Sequence, residues 1–179
     1  MGRGPLAGPV VAAAVVLDFN NVPGGLCDSK AISAIKREKV FEDIMSSSRV
    51  GVASVPATVI DRINIRQASL LAMRNACLAL DGLPDLVLVD GRDTPEVPCK
   101  AVAIIKGDAK IASIAAASIV AKVIRDQTMK KLANFFPQFL FEKNAGYGVS
   151  AHRAALDEYG PTICHRLSFS PISQGRLKV

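Results

Sequence analysis

The sequence predicts an α/β fold, a mixed sheet with helices on its faces, and three observations carry that expectation. Short β-branched apolar runs alternate with longer stretches of helical periodicity. The apolar runs are continuous rather than alternating, as in strands covered on both faces. Half of the 179 residues are apolar and 21% are charged, enough for one compact domain with a sizeable core. That mix excludes a disordered tail, a collagen-like repeat and a small disulfide-stapled fold.

Pro9 to Leu17 reads as the first buried strand, ended by the turn residues Asn20, Asn21, Pro23, Gly24 and Gly25. Ser29 or Ser33 then caps a helix to about Met45, with Ile32, Ile35, Val40, Phe41 and Ile44 as its apolar stripe. Val50 to Val55 is a short strand. Thr58 is the expected N-cap of a long helix through Leu80, closed by Asp81-Gly82. Leu86 to Val89 is a buried strand running into Asp90-Gly91, and Ala101 to Ile105 is another. A small-residue helix follows from Ile111 or Ser113 to Lys131. Residues 134–148 are expected to be irregular, Ser150 to cap a short helix that Gly160 ends, and the last twenty residues to form a basic tail.

Charge narrows the partners. With 22 Lys and Arg against 16 Asp and Glu, the net charge is +6 and the pI about 9.3, which favours a polyanion such as nucleic acid. A membrane partner is not expected, because the longest apolar stretch is about half the roughly 20 residues of a spanning helix. The first residues lack the order of a secretory signal. Cys27, Cys77, Cys99 and Cys164 form no CxxC pair, and His152 and His165 have no ligand-like spacing, so reduced thiols and a cytoplasmic location are expected.

Asp90 stands at the carboxyl end of a strand, where open α/β sheets place ligand sites. It can equally be a turn former bonded to the next amides. Asp126 ends an otherwise apolar stripe of Ala115, Ala116, Ile119 and Val123, so burial demands a partner: a metal, or Lys122 or Arg125 at the helix rim. If both carboxylates converge, their hard oxygens suit Mg²⁺ or Mn²⁺ and not zinc. The Gly2-Arg3-Gly4 turn offers amides and a guanidinium to an anion. Tyr147, between Gly146 and Gly148, is either a presented stacking ring or a loop plug. Lys30 and Arg166 either contact phosphate or are merely solvated.

In order along the chain stand Gly2-Arg3-Gly4-Pro5-Leu6-Ala7-Gly8-Pro9, Asp28-Ser29-Lys30, Leu88-Val89-Asp90-Gly91, Lys106-Gly107-Asp108, the segment from Ile114 to Asp126 containing Ala115-Ala116-Ala117-Ser118, Gly146-Tyr147-Gly148, and His165-Arg166-Leu167-Ser168-Phe169. This set resembles ribonuclease HII, the type 2 ribonuclease H of bacteria, from residue 2 to about residue 172. The resemblance implies a ribonuclease H-like fold with a helical C-terminal extension: residues 1–133 as catalytic domain and 134–179 as extension and basic tail, packed as a single domain. It implies Mg²⁺- or Mn²⁺-dependent cleavage of RNA/DNA hybrids, and incision 5′ of ribonucleotides embedded in duplex DNA, as in ribonucleotide excision repair. Four acidic residues around two metals clamp the attacking water and the leaving oxygen in this family. The third and fourth fall on Asp90 and Asp126. Gly2, Arg3 and Gly4 match the turn that reads the ribose 2′-OH, and Tyr147 matches the tyrosine that stacks on the following deoxyribose. Ser29, Lys30 and Asn64 match backbone-phosphate contacts. The expected state is a monomer.

The sequence departs from the family pattern at its start. The family carries an Asp-Glu pair on a first strand just before the Gly-Arg-Gly turn, whereas this sequence reads Met1-Gly2 there. Two metal ligands and a central strand are therefore expected to lie outside these residues, leaving Val10, Val11 and Val15 uncovered. Asn144-Ala145 replaces a common His-Lys. A non-catalytic hybrid-binding module is the competing reading. A nucleotide-binding α/β protein of another class is disfavoured by the missing Walker A and dinucleotide turns.

Overall fold

The computed structural model describes residues 1–26 and 32–175, and there strands and helices alternate as expected. Cys27, Ser29, Lys30, Arg176 and Lys178 lie outside the described residues. The chain divides into two compact units: the first is Met1, Val11–Ala53 and Leu70–Val123, the second Gly2–Val10, Ser54–Ser69 and Ile124–Val179.

β1 (Val10–Leu17) pairs with β2 (Ser48–Val55), and β3 (Leu86–Asp90) pairs in parallel with β4 (Lys100–Ile104), Asp90 opposite Ile104. Among the described residues these are separate two-stranded sheets, so every strand is an edge. That explains a difference from the sequence reading. Asp90 does not follow four buried residues: Val89 alone is buried, and Leu86 and Asp90 are exposed. At β1 the outcome is reversed, since Val10 and Val11 are buried and Val15 is half-buried. Met1 lies alongside β1, its ammonium donating to the Val11 carbonyl at 2.6 Å and its carbonyl accepting from the Val11 amide at 3.0 Å.

Helix α1 (Ala34–Ser47) starts where Ser33 Oγ accepts the Lys36 amide at 3.3 Å, a cap contributing about 1 kcal/mol. Val40 and Ile44, one turn apart, are its buried residues, while Ile35 in the first turn is exposed. Helix α2 (Ala57–Leu78) opens on the Pro56 carbonyl, which accepts from Val59 and Ile60. Thr58 therefore lies inside the first turn and is not the cap. Helix α3 (Ala112–Phe135) runs past Lys131 because no breaker intervenes before Pro137.

The second unit has its own core of Leu6, Ala7, Met129, Ala133, Phe139, Phe141, Ala155 and Leu156. The segment expected to be irregular instead folds into a 3₁₀ turn, Pro137–Phe139, and a one-turn helix, α4 (Phe141–Asn144), which together bury Phe139 and Phe141 as a stacked pair with centroids 5.5 Å apart. Helix α5 (Ser150–Tyr159) follows. Val149 occupies its cap position, making Ser150 the first helical residue, and the Gly160 amide closes it on the Leu156 carbonyl. Among the described residues Cys77, Cys99 and Cys164 are free thiols, and no helix is long and apolar enough to cross a membrane.

Candidate nucleic-acid interface

The Gly2-Arg3-Gly4 turn is built in the second unit on two buried arginines. Arg166 is fully buried, its Nε donating to Gly8 O at 3.1 Å, Nη1 to Arg3 O at 3.0 Å, and Nη2 to Gly2 O at 2.7 Å and Gly8 O at 2.9 Å. Arg125 Nε donates to Pro9 O at 3.2 Å, and its Nη2 to Ala7 O at 3.3 Å and Ala145 O at 3.1 Å. The sequence reading of Arg166 as a phosphate contact or a solvated cation is thus corrected. Its planar fork gathers carbonyls, a task that a single ammonium cannot perform. Burial first, and the Arg125 charge second, push the Arg166 guanidinium down to about 10, so it stays charged at neutral pH. Burial likewise lowers Arg125, against the opposing pull of Tyr147 and Asp126.

The turn's glycines differ in what they answer to. Gly2 has φ +83° and a Cβ there would fall 2.1 Å from Arg125 Nε, so the fold itself requires glycine. At Gly4 a Cβ would meet only Tyr147 Cε1, at an ordinary 3.8 Å. Nothing among the described residues demands glycine there.

Tyr147 is brought to this turn by backbone bonds. Leu6 and Ala7 both donate to the Gly146 carbonyl, at 2.8 and 3.3 Å, and Tyr147 donates to Asn144 O at 2.9 Å. Its ring is 46% exposed beside Gly4, which favours the presented ring over the loop plug. Arg3 is exposed on the same turn.

Beneath the loop lies a histidine pair that sequence spacing did not suggest. His152 and His165 are buried with Nε2 atoms 3.0 Å apart, framed edge-on by Phe139. Burial, and then the neighbouring His152, pull His165 down to about 4, and burial lowers His152. The sequence signal for His152 was a polar residue on the stripe of Ala155 and Leu156, and for His165 its place in the His165-Arg166-Leu167-Ser168-Phe169 motif.

The remaining site residues are scattered over the two units. Asn64, in the second unit, interrupts α2 with φ 64° and ψ 164°, and its Oδ1 accepts from Arg66 and Gln67 at 3.0 and 3.1 Å, capping the helix's second half. This backbone conformation costs a non-glycine residue about 1–3 kcal/mol. Asp126, also in the second unit, is half-buried on α3 next to Arg125. Asp90 belongs to the first unit, where its Oδ1 accepts the Gly107 amide at 2.9 Å, a bond to the residue opening the 3₁₀ turn after β4 and not to the next amides in the chain. By donor type these carboxylates suit Mg²⁺ or Mn²⁺. By number they fall short, since among the described residues no three His, Cys, Asp or Glu groups gather as a metal cluster.

The family profile for ribonuclease HII matches residues 1–172. The chain belongs to the ribonuclease HII family. A ribonuclease HII from Agrobacterium fabrum is 53% identical over 174 residues, 97% of this chain and 80% of that protein. Among solved structures, ribonuclease H2 from Pyrococcus horikoshii OT3 superposes with a TM-score of 0.84 at 26% identity, covering 97% of this chain and 92% of the other. The Bst ribonuclease HIII solved with Mn²⁺ superposes at 0.81 over 97% of this chain and 66% of its own, at 17% identity, and so speaks for the fold alone. Ribonuclease HII membership makes the chain a ribonuclease H-type hydrolase, and the ribonuclease H-like α/β fold expected from the sequence is the fold observed.

Proposed function

We propose that this ribonuclease HII cleaves RNA/DNA hybrids and incises duplex DNA 5′ of an embedded ribonucleotide, with the Gly2–Gly4 turn and Tyr147 as the reader of the RNA–DNA junction. The observation carrying the proposal is their juxtaposition: the turn hangs on Arg166, the Leu6–Ala7 segment after it bonds to Gly146 and to Arg125, and Gly4 lies against the Tyr147 ring. A sugar lying on the exposed ring would approach the Gly4 backbone without a side chain between them, where a 2′-hydroxyl can be both donor and acceptor. Asp90 and Asp126 would hold Mg²⁺ or Mn²⁺, which supplies charge stabilisation to an in-line phosphodiester hydrolysis. Ser29, Lys30 and Asn64 would contact phosphates. The protein would act as a monomer in the cytoplasm, in ribonucleotide excision repair.

These residues hold two of the family's four carboxylates, so a polypeptide limited to them binds its substrate but cuts it slowly. Because Met1 exchanges both backbone bonds with Val11, residues placed ahead of it would continue along β1 and cover that edge. We expect a polypeptide lengthened by roughly ten to twenty upstream residues containing Asp-Glu, enough for a strand of typical length, to be more soluble and at least ~10³-fold faster on a duplex holding one ribonucleotide, because losing even one transition-state donor costs about 10²–10³. Equal rates for the two lengths would show that the ligands are misassigned.

Binding should depend on salt. With about two or three phosphates met by Lys30 and the C-terminal Arg176 and Lys178, affinity for a hybrid should fall about ten- to fortyfold between 50 and 200 mM salt. Arg166, buried under the turn, does not contribute to that slope. A flat response would count against nucleic acid as the partner.

A further inference from the structure

We propose that His152 and His165 are positioning residues for Tyr147: a neutral imidazole pair, fixed in one tautomeric arrangement, that tethers the Tyr147 backbone so its ring meets the sugar beside Gly4. This rests on the reading of Tyr147 as the sugar-stacking residue, and it assigns a task to two buried groups that the chemistry of cleavage leaves unused.

Hydrogen-bond direction fixes the arrangement. The Thr162 amide, which can only donate, lies 2.9 Å from His165 Nδ1, so that nitrogen is bare and the His165 proton sits on Nε2. From there it points at His152 Nε2, 3.0 Å away, which must accept. The His152 proton is then on Nδ1, 2.9 Å from the Tyr147 carbonyl, to which it donates. That carbonyl also accepts the Val149 amide at 2.9 Å, so it is held from two sides. The chain of bonds thus runs from Thr162 through both rings to the backbone of the residue whose ring touches the interface.

A proton added to either ring would break the chain. On His165 it would oppose the Thr162 amide, and on His152 it would oppose the His165 N–H. The surroundings keep both rings neutral: the 3₁₀ turn and α4 present Phe139 and Phe141, and α5 and the 162–166 segment present the two histidines to each other. Of the other titratable groups on these elements, Arg166 turns to the Gly2 and Gly8 carbonyls, Arg153 lies beside Gly148, Glu142, Lys143, Asp157, Glu158 and Tyr159 are exposed, and the Cys164 thiol is raised by burial. His165 titrates at about 4 in the fold against an ordinary 6.5, so the neutral pair's contribution is complete above about 6.5 and is lost as pH falls towards 4.

Two measurements on the complete chain test this. Nitrogen-15 NMR of the imidazoles should show His152 protonated on Nδ1 and His165 on Nε2, unchanged between pH 8 and about 6.5; the opposite tautomers, or a charged ring in that range, overturn the proposal. Affinities for a duplex with one ribonucleotide and for its all-DNA counterpart, taken without divalent metal, give the second readout. His152→Leu should weaken the ribonucleotide duplex about tenfold with the all-DNA duplex unmoved, and His152→Asn, whose amide can replace the Nδ1 donor, should restore most of the loss. If Tyr147→Ala abolishes the preference and His152→Leu leaves it intact, the tether is refuted while the stacking reading stands. If Tyr147→Ala also leaves it intact, the stacking reading fails and takes the tether with it. Should His152→Leu not fold, the tautomers and His152→Asn decide.

Discussion

Asp90→Asn is expected to reduce cleavage by at least ~10³-fold, a barrier increase of about 4 kcal/mol, while leaving hybrid affinity and thermal stability almost unchanged. Asparagine keeps the shape and the acceptor and loses the charge. Its Oδ1 can still accept the Gly107 amide that Asp90 holds at 2.9 Å, so the link from the end of β3 to the 3₁₀ turn after β4 survives. Its side chain is exposed, so the swap should move stability by no more than about 0.5 kcal/mol. The missing element is the negative charge that a divalent cation requires. Asp90→Ala separates the alternatives, because it removes the bond to Gly107 as well and should cost stability besides activity. The rates are to be measured with Mn²⁺ or Mg²⁺ on the upstream-lengthened polypeptide, where activity is highest. An active Asp90→Asn would leave the residue with only the structural role of holding the Gly107 amide.

Arg166→Met should destabilise the protein by about 3–5 kcal/mol. The guanidinium serves the Gly2, Arg3 and Gly8 carbonyls in a buried setting, and each buried acceptor left without a donor costs about 1–3 kcal/mol, partly recovered by entering water. At roughly 2–4 °C per kcal/mol for a chain of this size, the thermal midpoint should drop by about 6–20 °C. Arg166→Lys should fall between, since one ammonium keeps the charge but cannot span the three carbonyls. Both variants should lose preference for ribonucleotide-bearing DNA more than general DNA affinity, because the turn is what the arginine holds. A midpoint shift below about 2 °C would mean that those carbonyls find other donors, and that the turn does not hang on Arg166.

Local patterning carried the elements, and tertiary partnerships were the part it could not show. The strand ending at Asp90 and the helix capped by Ser33 follow from apolar runs and a serine at the right offset. The kink at Asn64 and the folding of 137–144 do not, because both depend on side-chain bonds and ring stacking that have no periodicity. Gly2, Arg3, Gly4 and Tyr147, proposed as the junction reader, were legible as motifs. Their supports were not: Arg125 read as a rim partner for Asp126 and Arg166 as a phosphate contact or a solvated cation, because in sequence nothing distinguishes an arginine bonded to carbonyls from either. The histidines, 13 residues apart, meet only once α5 and the following loop fold together.

The position of the cut tests the central claim most directly. On an end-labelled DNA duplex carrying one ribonucleotide, incubated with Mn²⁺ and the upstream-lengthened polypeptide, a reader made of the Gly2–Gly4 turn and Tyr147 predicts a single incision immediately 5′ of the ribonucleotide, lost when Tyr147 is replaced by alanine. Cuts scattered through the duplex, or cutting of a duplex with no ribose in it, would contradict it.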